Sequence, residues 1–129
     1  MYQIGKVTKQ LNISADTLRY YEKINLLPRI SRNVSGLRIY SDKDLSRIKF
    51  IRRAQRMGFS LDEIGQLLSF RESPQNAKPE VRQLAGEKLA DIERNLAELK
   101  LLRNELKLLV NLCVSSKNGC PIIDGLEDD

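Results

Sequence analysis

The chain has 129 residues, enough for one domain with a modest extension, and carries two cysteines, no histidine, no tryptophan and a formal net charge of +5. Without histidine, a Ser–His–Asp triad, a histidine general base and a histidine-containing zinc site are excluded, and two cysteines cannot make a four-cysteine zinc site or a multi-bridge secreted scaffold. No apolar run is long enough to span a membrane, and the first residues lack the apolar core of a signal peptide, so a cytoplasmic, thiol-reducing setting is expected.

The charge is divided along the chain. Residues 1–60 hold 13 Lys/Arg against 4 Asp/Glu, a net of +9, whereas residues 61–129 hold 9 against 13, a net of −4. A basic first half points to an anionic polymer at one end only; the alternative is a surface made basic for solubility. All seven aromatic residues lie in the first 70 positions, leaving the remainder to bury an aliphatic stripe by other means.

The elements follow in order. Ile4, Val7 and Leu11 fall at helical spacing within residues 3–11. Ser14, with Thr17 beyond it, suits an N-cap for a second helix over 14–23 that turns Leu18 and Tyr21 one way and Arg19 and Lys23 the other. Two short helices joined by a tight turn in a basic region read as helix-turn-helix. Pro28 ends this segment, and residues 29–40 alternate around a turn at 33–36, giving a hairpin of two short strands with Gly36 in the turn. Arg29, Arg32 and Arg38 make this hairpin a basic wing. Ser41 and the aspartates after it start a helix that carries Leu45, Ile48, Phe50, Ile51 and Ala54 and stops at Gly58. Ser60 and Glu63 form a capping-box pattern for a helix to about residue 70. Residues 71–78 form a hinge, followed by a long helix over 79–112. There Ala85, Leu89, Ile92, Leu96, Leu99, Leu102, Leu106 and Leu109 recur at steps of three and four, the pattern of a coiled-coil seam. The alternatives are a homodimer, parallel or antiparallel, and a helix folded back on residues 1–70. Two-fold symmetry would pair two basic heads on a palindromic DNA site.

Cys113 and Cys120 follow the long helix. Pro121 fits the first position of a short helix, placing Cys120 at an N-terminus where the dipole favours thiolate, and Lys117 lies in the loop between them. Two thiolates so spaced can meet on one ion; a disulfide and two inert thiols are the other possibilities. With no histidine, the pair suits a soft monovalent ion in linear coordination, Cu(I), Ag(I) or Au(I), and zinc less well.

The segments IGKVTK (4–9), TLRYYE (17–22), LLP (26–28), GLRIY (36–40), LSRIKFIR (45–52) and GFSLDEI (58–64) resemble the MerR family of regulators across essentially the whole chain, in its copper-efflux or zinc-efflux branch. The resemblance implies a mainly α protein: a winged helix-turn-helix DNA-binding domain at 1–70, the hinge, an antiparallel coiled-coil dimerisation helix at 79–112, and a metal-binding tail at 113–129. It implies a homodimer on double-stranded promoter DNA that, once loaded with effector, distorts an overlong spacer for RNA polymerase. Arg19, Tyr20 and Tyr21 on the recognition helix, and Gly36, Arg38 and Tyr40 in the wing, take DNA-binding roles by motif position. Of Tyr20 and Tyr21, one is expected to face each way. Divalent-metal members carry a further cysteine at the start of the long helix and copper-type members a serine; here Lys78 stands at that point. Lysine removes the third thiolate and could balance the charge of a bis-thiolate Cu(I) centre. The competing expectations are a zinc or divalent-metal regulator, a thiol-based redox or electrophile sensor, and an architectural DNA-binding protein without effector. An enzyme is not expected.

Overall fold

Serines at three helix starts accept main-chain hydrogen bonds, so these helices begin where the sequence first turns from polar to periodic. Ser14 accepts from the Thr17 amide at 3.1 Å. Ser41 and Asp44 cap each other's amides at 2.9 and 3.1 Å, and Ser60 and Glu63 do the same at 2.9 and 3.1 Å. The computed structural model describes residues 1–115. Their order is β1 (Tyr2–Gln3), α1 (Ile4–Leu11), α2 (Ala15–Lys23), β2 (Ser31–Arg32), β3 (Arg38–Tyr40), α3 (Asp42–Arg56), α4 (Leu61–Glu72), a 3-10 turn (Pro74–Asn76) and α5 (Pro79–Ser115). The mainly helical class, with a helix-turn-helix, a hairpin wing and a long last helix, is as the residue pattern predicts.

Two differences have physical causes. Gln3 belongs to a strand, not to the first helix: β1 adds to the hairpin in the order β1-β3-β2, with Tyr2 opposite Tyr40 and Gln3 opposite Ile39. Two residues are too few to display a period of two, and their partner lies far along the chain, so the pattern carries no sign of it. Residues 71 and 72, placed in the hinge by the sequence, complete α4, because Glu72 pairs with side chains of α3.

The described chain divides into two compact units, Met1–Leu84 and a second beginning at Ala85. The core of the first gathers Val7 from α1, Leu18 and Tyr21 from α2, Tyr40 from β3, Ile48 and Ile51 from α3 and Ile64 from α4, each at most 1% exposed. Burying aliphatic side chains of this size contributes about 1.5–3 kcal/mol each, which is what holds α2 and the wing on α3 and α4. The Asn12 backbone is left-handed (φ 51°) and closes α1 against α2, a conformation asparagine tolerates better than most residues.

In the second unit α5 presents Leu89, Leu96, Leu99, Leu102 and Leu106 with about half or more of their surface open, and Leu101, Leu108 and Val110 as well. A helix carrying so many open leucines has its apolar surface unburied within one chain.

Candidate nucleic-acid interface and effector elements

The basic head is built from α2 and the wing. Arg19 is exposed on α2 and makes a 2.9 Å surface pair with Asp16 one turn earlier. Such a pair is weak in water and readily exchanged for a phosphate. Tyr20 beside it is half exposed. The next residue, Tyr21, is buried, and its hydroxyl donates to Gln55 Oε1 on α3.

The wing turn is set by Asn33 and Gly36. The Asn33 carbonyl accepts from the Gly36 amide at 3.0 Å, its side chain accepts from the Leu37 amide at 2.9 Å, and Gly36 takes φ +83°. The Arg32 guanidinium donates to the Gly36 carbonyl at 2.9 Å, and Val34 at the tip is fully exposed. At the base of the wing, Arg38 Nε donates to Glu22 Oε2 at 3.2 Å, while Glu22 Oε1 accepts from the Ile30 amide at 3.0 Å. One carboxylate thus ties the last turn of α2 to both strands' approach.

Tyr21 and Tyr40 correct the expected set of DNA contacts. Both rings are enclosed in the core, and the Tyr40 hydroxyl is buried without a hydrogen-bond partner, its pKa raised by that burial. Their places in the motif are structural supports for α2 and the wing. Arg19, Tyr20 and Gly36 stay on the surface, and Arg38 is mostly covered and paired. The sequence reading did not single out Glu22 or Gln55. An acidic residue in the last turn of a helix opposes the dipole, a signal that Glu22 has a partner elsewhere.

For the effector elements, Lys78 is exposed just ahead of α5, where its carbonyl accepts from the Val81 and Arg82 amides at 3.0 and 3.1 Å. It lies on the rim of an open cleft of about 760 Å³ in the first unit, with Phe70, Glu72 and Val81. Cys113 is half-buried near the end of α5 and is disulfide-bonded in this structure. Cys120, Lys117 and Pro121 lie outside the described residues. Among the described residues no three His, Cys, Asp or Glu side chains cluster as a metal site, and no helix is long and apolar enough to cross a membrane.

Residues 2–70 match the family model of the MerR HTH family regulatory protein, and residues 45–109 that of MerR, DNA binding. The chain belongs to the MerR family of helix-turn-helix transcriptional regulators, which are DNA-binding proteins and not enzymes. It is 37% identical to the HTH-type transcriptional regulator ZntR of Escherichia coli K12, over 98% of this chain and 93% of the relative. Among solved structures it resembles PbrR691 of Ralstonia metallidurans CH34, crystallised with lead(II), at 34% identity and TM-score 0.59, covering 98% of this chain and 99% of that one. It also resembles HiNmlR, a MerR family regulator lacking the sensor domain and bound to promoter DNA, at 28% identity and TM-score 0.66, over 86% and 84% of the two chains.

Proposed function

We propose that this protein is a cytoplasmic, metal-responsive regulator that binds promoter DNA as a homodimer and activates metal efflux or detoxification genes. Its effector is Cu(I), or Ag(I) or Au(I), held by the reduced sulfurs of Cys113 and Cys120. The observation that carries the effector is the donor set: two cysteines, no histidine, and lysine at position 78 where a third thiolate would be needed for a divalent ion. Two thiolates satisfy a linear monovalent ion and leave a −1 centre, which the Lys78 ammonium suits as a charge partner. The bound metal would join the two sulfurs and lower their combined charge from −2 to −1; Arg19, Tyr20, Gly36 and Arg38 hold the head on DNA. A homodimer through α5 is supported by the open leucines along that helix, which a second copy in antiparallel coiled-coil register would cover. Activation then works by distorting the promoter for RNA polymerase, at a deformation cost of several kcal/mol offset by phosphate contacts. The lead(II)-bound relative supports a metal as effector class, and a divalent-metal response is the alternative.

A second reading, a thiol-based redox sensor, is favoured by the disulfide at Cys113. Titration of Cu(I) and of Zn²⁺ into the reduced protein against a competing chelator separates the readings. Tight binding of Cu(I) with one ion per cysteine pair, lost in Cys113→Ser, supports the metal sensor. Promoter activation by every metal in Cys113→Ser would overturn it, and activation by oxidant alone would favour the redox sensor.

A further inference from the structure

Residues 1–60 hold 4 carboxylates among 13 Lys/Arg, and three of the four are tied into the fold. Glu22 accepts from Arg38 and the Ile30 amide, and Asp44 accepts from the Ser41 amide and Arg47. Asp42 lies against the Tyr2 hydroxyl and raises its pKa. Asp16 is different. Its side chain is 95% exposed in the first turn of α2, and its Oδ1 accepts from the Arg19 guanidinium at 2.9 Å. Among the described residues its other oxygen, Oδ2, has no partner. Asp16, Arg19, Tyr20 and Lys23 stand at i, i+3, i+4 and i+7 and are all exposed. They make the open face of α2, opposite the buried Leu18 and Tyr21.

An open carboxylate on the face that meets a polyanion opposes binding to any duplex, so charge attraction does not account for it. The dipole of α2 favours an acid near this end, and Ser14 already caps the helix, but neither effect involves Arg19. What the pairing changes is the behaviour of the arginine. An untethered arginine on an exposed helix grips a phosphate equally well on every sequence.

We infer that Asp16 is a specificity-determining residue: it holds Arg19 for a guanine edge in the major groove and keeps it from settling on a phosphate. The inference rests on the reading that α2 enters the groove, and it names how that helix tells one base pair from another. With one N–H committed to Asp16, the guanidinium keeps its remaining donors for guanine O6 and N7 and loses less side-chain freedom on binding. Oδ2 of Asp16 then accepts only from a base amino group, N4 of cytosine or N6 of adenine. Thymine O4, guanine O6 or a phosphate oxygen at that point would meet it acceptor to acceptor. The N-terminal residues of a recognition helix are the ones that meet base edges; Asp16 lies in that first turn and Arg19 in the next.

The test selects duplexes from a randomised pool with the intact chain, then measures binding to the selected duplex with single base pairs changed, across a range of salt concentrations. For the unsubstituted chain the inference expects a guanine whose replacement weakens binding about tenfold or more. In Asp16→Ala that penalty falls to about twofold, because Arg19 is released to a phosphate, and the slope of log K against log salt steepens by about 0.9. Arg19→Lys, which keeps the charge and loses the planar fork, loses the guanine preference as well. A preference kept in Asp16→Ala but lost in Arg19→Lys overturns the inference alone: Asp16 then only repels phosphate, and affinity rises alike on every duplex. A preference kept in both variants, or none in the unsubstituted chain, removes the reading of α2 in the groove and the inference with it.

Discussion

The Tyr21 hydroxyl donates to Oε1 of Gln55, joining the last turn of α2 to the last turn of α3. Only Tyr21 of the two adjacent tyrosines reaches inward, and it carries the recognition helix on the core. Tyr21→Phe keeps the ring and leaves the Gln55 oxygen without its donor, at a cost of about 1–2 kcal/mol in urea unfolding. Tyr21→Ala empties the site as well and costs about 3–5 kcal/mol. Tyr20→Phe, on the open side of α2, leaves stability unchanged while it can alter DNA affinity. Equal destabilisation by Tyr20→Phe and Tyr21→Phe would contradict the placement.

Glu22 accepts from Arg38 and from the Ile30 amide, so its removal frees both the wing and the chain leading to it. Glu22→Ala is expected to cost about 1–3 kcal/mol, because the partly buried Arg38 loses its counter-charge. Arg38→Ala should weaken promoter binding and flatten its salt dependence. Salt titrations of both variants check the difference: Glu22→Ala lowers affinity through the wing's position and leaves the slope unchanged.

Glu72 has its pKa lowered from 4.5 to about 2, chiefly by the hydrogen bond from Arg47. A carboxyl depressed in the folded state adds stability that is fully present above its unfolded pKa and is lost as pH falls through the folded one. The α3–α4 pairing is therefore intact above pH 4.5 and weakens between pH 4.5 and about 2. Glu72→Gln should be less stable than the parent at neutral pH and flatter in that acid window. Thermal unfolding across the range checks it, and parallel curves would refute it.

Gly36 holds φ +83° at the wing turn, yet a Cβ there would meet no heavy atom within 4 Å. Gly36→Ala should therefore strain the backbone without a clash, costing about 1–2 kcal/mol locally. The expected signature is weakened DNA binding with a normal core, read by affinity and by near-native unfolding of the head. A collapse of the core on this substitution would show that the turn packs against something.

Leu106 stands half open on α5. If the leucine stripe is covered by a second copy, Leu106→Glu places a charge at a buried position and should shift the protein from dimer to monomer in sedimentation. A dimer of unchanged affinity would exclude this face from the interface.

The helices were legible because each has its own local signal. Ser41 with Asp44, and Ser60 with Glu63, mark starts within four residues, and the glycine at 58 marks a stop. The wing turn at 33–36 was legible for the same reason. What escaped depends on distant partners: Tyr2 meets Tyr40 across the sheet, and Tyr21 meets Gln55, neither of which any local pattern records. Motif position alone gave Tyr21 and Tyr40 to the DNA, and burial corrects it, since aromatic residues in a basic segment serve either surface or core.

Glu22 has a consequence for how the head can move. One carboxylate shared by the Arg38 guanidinium and the Ile30 amide couples the wing to the end of α2, so a displacement of either is passed to the other. Glu22→Gln, which removes the charge but keeps the acceptor, should loosen that coupling at Arg38 while sparing the Ile30 amide.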